Sequence, residues 1–269
     1  MIAVSPRTRR AISNATSATL AVAAVHSAFG AVPGIAFGLG ALSSCVFLTP
    51  TLLKNSCWYG PVLNSFSTDR REVWLTIDDG PDPRQTPQVL DVLRKHQVQA
   101  TFFGIGQLIV QHPELCLRIL AEGHSLQNHT FHHPTTTLWA AGPARVSREL
   151  KDCSRAIHDC TGVVPTQFRT PVGIANPFVH AAAAAQNLAL IGWSATGHDG
   201  IAHVPTSVVS KITRRVRPGS IILFHESHLP SCALGSRART LDMLLTGLKD
   251  ANYTFITPLG ATSSPPFAE

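Results

Sequence analysis

Glu72-Val73-Trp74-Leu75-Thr76-Ile77-Asp78-Asp79-Gly80-Pro81 is a short apolar run that ends in two adjacent aspartates and a Gly-Pro turn. A run of this kind, bounded by turn residues, reads as a strand buried on both faces, the sort that parallel sheets contain. Thr86 to His96 follows with a helical pattern that sets Val89, Leu90 and Leu93 on one face. Strand, turn and helix make a first βα unit, and the alternation continues downstream. Further strands are expected at Thr101 to Ile105, His124 to Asn128, Gln167 to Thr170, Leu188 to Ser194, Ser220 to His225 and Tyr253 to Thr257. Further helices are expected from Pro113, over Pro143 to Cys160, Pro177 to Gln186, Val204 to Val216 and Arg237 to Ala251. About seven such units call for an α/β barrel or barrel-like sheet, whose functional residues gather on loops at the carboxyl ends of the strands.

The residues standing at those ends are polar in a way that a core does not require. Asp78 and Asp79 repel one another, a cost best offset by a cation; once one of them binds a metal, the other is left as a free base. After the third strand comes Asn128-His129-Thr130-Phe131-His132-His133-Pro134. His129 and His133, four apart, can aim two imidazoles at one ion, with one carboxylate completing a set that leaves positions open for water and substrate. His132 is set aside as a bystander. Two later strands run into Arg169-Thr170-Pro171-Val172-Gly173 and Leu223-Phe224-His225-Glu226. An arginine there can hold a carboxylate ionised, and a histidine can protonate a leaving group.

With these segments in this order, the stretch from about Arg71 to Leu259 resembles the polysaccharide deacetylase family with the NodB homology domain, carbohydrate esterase family 4. Thr76 to Pro81 matches its TFDDGP-like motif, and His129 to His133 its HTxxH motif. The resemblance implies a distorted (β/α)7 barrel of the NodB type, with Asp79, His129 and His133 holding a divalent metal, zinc being the expected ion. It implies Asp78 as general base, His225 as general acid, Arg169 as the residue orienting Asp78, and Pro171 and Val172 as part of the substrate groove. The fourth motif, DxxDW in the family, reads Thr196-Gly197-His198-Asp199-Gly200 here. Only its second aspartate, Asp199, is kept, and it is expected to pair with Arg169. The missing tryptophan and the Val172 in place of a tyrosine bear on substrate identity more than on chemistry. The implied activity is removal of N-acetyl groups from an N-acetylglucosamine-containing oligo- or polysaccharide. O-acetyl esterase, deformylase or amidase action on a sugar is the alternative within enzymes, and a silent glycan-binding module the alternative outside them.

The rest of the chain frames this domain. The chain has 269 residues, 44% hydrophobic and 14% charged, with a formal net charge of +6, which excludes general disorder. No basic run interleaves with aromatics, so no nucleic-acid partner is expected. From Ala11 to Leu53 there is no charged residue, while Arg7, Arg9 and Arg10 precede the stretch and Lys54 follows it. Residues 1–54 are therefore expected to attach the protein to a membrane. A hairpin broken at Pro33-Gly34 would return the domain to the cytoplasm, and a single span would export it. Residues 55–70 read as a polar linker, 71–260 as the catalytic domain and 261–269 as a loose tail. The six cysteines show no metal-ligand spacing and read as buried thiols.

Overall fold

A computed structural model describes residues 48–200, 204–226 and 235–257. The apolar N-terminal stretch up to residue 47 and the C-terminal tail lie outside the described residues. The order of elements is β1 (Glu72–Gly80), α1 (Thr86–His96), β2 (Thr101–Gly104), α2 (Gly106–Gln111), α3 (Pro113–Ala121), β3 (Ser125–Asn128), α4 (Pro143–Thr161), β4 (Gln167–Phe168) and α5 (Pro177–Ala185). It continues with β5 (Ala189–Leu190), β6 (Ala195–Thr196), α6 (Pro205–Arg215), β7 (Ser220–His225), α7 (Ser236–Asp250) and β8 (Thr254–Phe255). Short 3-10 turns stand at Leu138–Ala140 and Pro171–Gly173.

The strands run β5-β4-β3-β2-β1-β7-β6, with β8 added at the foot of β1, and the paired strands are parallel. Strand β1 lies inside the sheet, and its side chains alternate between two apolar surroundings. Val73, Leu75 and Ile77 join the large core formed with α1, α6 and α7, through residues such as Leu93, Ile212 and Leu241. Trp74 points the other way, into a smaller cluster with Phe103, Ile191 and Ile221. That second face is the barrel interior. Trp74, Thr76 and Asp78 therefore climb it in steps of two residues, and Asp78 is the topmost.

The sheet curls because its two edges belong to neighbouring stretches of chain. β5 and β6 lie at opposite edges, yet only residues 191–194 separate them, a reach of at most roughly 18 Å. A strap from upstream of β1 fills the remaining gap, with Leu63 bridging Ile191 and Ser65 bridging Ser220. Leu63 N donates to Leu190 O, and Gly192 N to Leu63 O, both at 2.9 Å. The result is the distorted barrel expected from the sequence.

Two expectations differ. The single strand expected over Leu188 to Ser194 is instead β5, a crossing and then β6, because Gly192 is taken up by the strap. The stretch 55–70, read as a linker from its polarity, is bonded into the domain at Asn55, Leu63 and Phe66. Of the cysteines described, Cys116 and Cys153 are buried thiols as expected, whereas Cys57 is exposed and Cys160 half-buried. Among the described residues no helix is long and apolar enough to cross a membrane.

Candidate metal centre and its acid and base

The DDGP turn sits where β1 leaves the sheet. On a regular strand Asp79 would point away from Asp78. Instead the β1–β2 ladder shifts register between Asp78 and Gly80, and Asp79 takes a left-handed φ of 75°. Thr130 and His133, at φ 68° and 52°, are likewise left-handed. Such conformations cost on the order of 1 kcal/mol each for residues with a Cβ, and persist where surrounding structure imposes them. Together they bring Asp79, His129 and His133 to one point. His129 Nε2 and His133 Nε2 lie 3.3 and 3.1 Å from Asp79 Oδ1, and the three ligand atoms all fall within 4.8 Å of one another.

The tautomer of His129 follows from its other nitrogen. Nδ1 lies 2.8 Å from the carbonyl oxygen of Arg169, which can only accept, so Nδ1 carries the proton and Nε2 presents a lone pair. Asp79 Oδ1 is buried and has no hydrogen-bond donor of its own. Electron-pair donors thus converge with no proton between His129 and Asp79, an arrangement that fits a cation. With no cation in the cluster, burial works against ionisation of Asp79, but hydrogen bonding and positive charge from the surrounding imidazoles outweigh it and hold its carboxyl well below the ordinary range.

Asp78 stands beside this cluster, its Oδ2 3.7 Å from His129 Nε2. Its Oδ1 accepts a 2.7 Å hydrogen bond from Arg169 Nη1. Arg169 is fully buried and spends its other donors on Thr76 Oγ1, Ile191 O and Gly192 O. Its guanidinium also lies 4.3 Å from the Phe103 ring centre. A buried arginine so fully engaged cannot follow a moving partner, and Asp78 is fixed by it.

Residues 66–191 match the profile of the family described as Polysaccharide deacetylase. A chitooligosaccharide deacetylase of Bradyrhizobium sp. (strain ANU 289) is 43% identical over 161 residues, which cover 60% of this chain and 73% of that protein. The chain belongs to the polysaccharide deacetylase family. The peptidoglycan-N-acetylglucosamine deacetylase PgdA of Listeria monocytogenes serotype 1/2a (strain 10403S) is 35% identical, covering 73% of this chain and 40% of that one. Among solved structures, the Bc1960 peptidoglycan N-acetylglucosamine deacetylase superposes with a TM-score of 0.66 at 29% identity, covering 72% of this chain and 88% of that one. The relatives of this polysaccharide deacetylase family member at 35 to 43% identity are thus carbohydrate deacetylases.

Its fourth motif is wired differently from the expectation. Asp199 does not pair with Arg169. Its carboxylate accepts from His225 N at 2.6 Å and lies 3.0 Å from His225 Nδ1. The reason is sheet order: the loop carrying Asp199 leaves β6, which neighbours β7 and hence His225, whereas Arg169 leaves β4 beyond β3. Burial alone would push the His225 imidazole down, but Asp199, with Asp79 and Asp78 beyond it, raises it to about 9. Gly200, where the family motif has tryptophan, lies beside the same ring: a Cβ there would stand 3.5 Å from His225 Cε1. Pro171 is buried and Val172 is 40% exposed on the 3-10 turn, so of that pair Val172 faces outward.

Three supporting residues escaped the sequence reading. Glu149 of α4 accepts from Phe131 N at 3.1 Å, from His132 N at 2.9 Å and pairs with His132 Nδ1 at 3.0 Å. His132, the expected bystander, thus anchors the loop that carries the two candidate ligands. Asn128 accepts from Thr130 N at 2.9 Å and donates to Leu150 O and Ser154 Oγ on α4. Arg237 of α7 donates to Asp199 O at 2.6 Å. Glu149 and Arg237 each interrupt an apolar helix stripe, beside Val146, Leu150 and Cys153 in one case and Leu241 in the other. A charge on a buried stripe is a legible signal of a partner waiting inside.

Proposed function

We propose that this protein hydrolyses the N-acetyl group of an N-acetylglucosamine-containing oligo- or polysaccharide, releasing acetate and a free amine. The observation that carries the reading is the meeting of Asp79 Oδ1, His129 Nε2 and His133 Nε2 at one point with Asp78 alongside. The substrates named for its relatives, chitooligosaccharide and peptidoglycan N-acetylglucosamine, support the choice of sugar. Two imidazoles and a carboxylate with open positions suit a divalent ion, zinc being the ion we assign. Such an ion supplies Lewis-acid stabilisation to the acyl oxygen and to the attacking water.

The protein's own groups do the rest. Asp78, fixed in place by Arg169, takes the proton from water as it attacks the acetyl carbon. His225, kept protonated by Asp199, gives its proton to the departing nitrogen as the carbon–nitrogen bond breaks. Arg169 and Asp199 are thus positioning residues, one for the base and one for the acid. The exposed Val172 would border the bound sugar, and the uncharged run from Ala11 to Leu53 supports attachment to a membrane.

Acetate release from a panel of N-acetylglucosamine oligomers, O-acetylated glycans and N-formylated sugars tests this with the full-length protein. Chelation should abolish release from the N-acetylated oligomers and zinc should restore it. Asp78→Asn should cost roughly 100-fold or more in kcat with metal content unchanged. His129→Ala should lose metal and activity together, and full metal content in that variant would overturn its assignment as a ligand. Release confined to the O-acetylated or formylated members would overturn the N-acetyl reading.

A further inference from the structure

Three features converge at the rim of the site and serve none of the steps above. The first is apolar. Leu48, Leu52, Leu53 and Trp58 are between 46% and 58% exposed. Between them Thr51 and Tyr59 are buried, with Thr51 Oγ1 bonded to Tyr59 Oη at 3.3 Å. The helical residues that end at Leu52 are therefore tied through Thr51 to the Trp58-Tyr59 segment, while Leu48, Leu52, Leu53 and Trp58 stay outward.

The second feature is cationic. Arg215 Nη1 lies 3.5 Å from His198 Nε2, and Lys54 and Lys211 also act electrostatically on His198. Among the described residues, none of Lys54, Lys211 and Arg215 has a carboxylate within salt-bridge distance. The third feature fixes where these groups stand relative to the site. Asn55, which follows Lys54, donates from its backbone to Gly173 O at 2.8 Å and from its side chain to Trp193 O at 2.9 Å. His198 immediately precedes Asp199. The apolar strip and the cations therefore border the Pro171–Gly173 turn on one side and the Asp199 loop on the other.

Upstream of this patch the sequence runs from Ala11 to Leu53 without a charge. Apolar and aromatic side chains with lysine and arginine beside them are what a bilayer interface with anionic headgroups accepts. We infer that this is the membrane-apposed face: Leu52, Leu53 and Trp58 seat in the interface of an anionic bilayer, and Lys54, Lys211 and Arg215 lie over its headgroups. The site then opens at the membrane surface. Resting on the deacetylase reading, its substrate class narrows to N-acetylated saccharides carried on lipid or held within reach of the membrane.

The test uses the full chain in phosphatidylcholine vesicles containing one quarter phosphatidylglycerol, compared with detergent. The four tryptophans are Trp58, Trp74, Trp139 and Trp193, so quenching by brominated lipid reports on them alone. Quenching should be clear in the wild type and mostly lost in Trp58→Phe, and iodide should reach Trp58 less well on vesicles than in detergent. Wild-type quenching retained in Trp58→Phe, or unchanged iodide access, overturns the face. In parallel, acetate release is followed from an N-acetylglucosaminyl lipid in the vesicles and from a soluble oligomer. Lys54→Glu with Lys211→Glu should lower release from the lipid by at least about fivefold per cation and leave the soluble oligomer unaffected. Equal loss on both substrates overturns the substrate class. No release from either by the wild type, with the Trp58 quenching intact, sinks the deacetylase reading and leaves the membrane face standing.

Discussion

His225 titrates upward to about 9 because Asp199 outweighs its burial, and that one pairing sets where a proton is still available to a leaving group. Asp199→Asn keeps a hydrogen-bonding side chain and removes the charge. The pKa of His225 should fall, and the alkaline limb of the kcat/KM profile should move to lower pH, because the acid must be protonated to act. An unmoved alkaline limb would detach Asp199 from this role. Gly80 carries a second prediction: a Cβ there would stand 1.5 Å from Glu226 Oε1. Gly80→Ala should destabilise by roughly 3 kcal/mol in thermal or denaturant unfolding, and adding Glu226→Ala should recover most of the loss. The candidate ligands and base were legible as residues because aspartates and histidines at strand ends have little structural reason to be there. The partner of Asp199 was not, because motif order gives no neighbours; that β6 lies beside β7, with β4 at the far side of the sheet, is a property of the folded sheet.

At the scale of the element, α4 does more than cover the sheet. Through Glu149 it holds the backbone of Phe131 and His132 and the His132 imidazole, and so fixes the loop between His129 and His133. Glu149→Ala should leave the fold intact yet weaken metal affinity by about 10- to 100-fold in a chelator competition, the usual effect of removing an outer support. Unchanged affinity would reduce Glu149 to a helix-loop staple. The apolar periodicity of α1 and α4 and the continuous run of β7 made those elements readable to within a residue. The short strands were harder. β5 and β6 have two residues each, too few for any period to show, and the apolar stretch across them reads as one strand until Gly192 is seen bonded to Leu63.

For the whole molecule, stability and pH are linked through Glu226. Its carboxyl ordinarily titrates near 4.5; burial, with a smaller push from Asp82 and Asp79, holds it up to about 8 against the opposing influence of the Thr86 hydroxyl. The folded state thus keeps a proton that the unfolded chain releases between those values. Its stabilising contribution is complete below 4.5 and drains away as pH rises to 8. His225, raised from 6.5 to about 9, has the same sign over a higher window. In the metal-free protein Tm should fall from pH 5 to 8, and Glu226→Gln should flatten that fall; parallel slopes in the two proteins would contradict the buried-acid account.

The strap through Leu63 and Ser65 has a consequence for where this domain can be cut. Shared ancestry is recognisable from residue 66, but the piece of chain that closes the sheet begins at Asn55. A protein whose N-terminal side is trimmed back to residue 66 would keep every candidate ligand and both proton-transfer groups while leaving the edges of β5 and β7 short of partners. The minimal folding unit is thus longer than the inherited signature, and a protease nick between Asn55 and Phe66 would disable the enzyme without touching its chemistry.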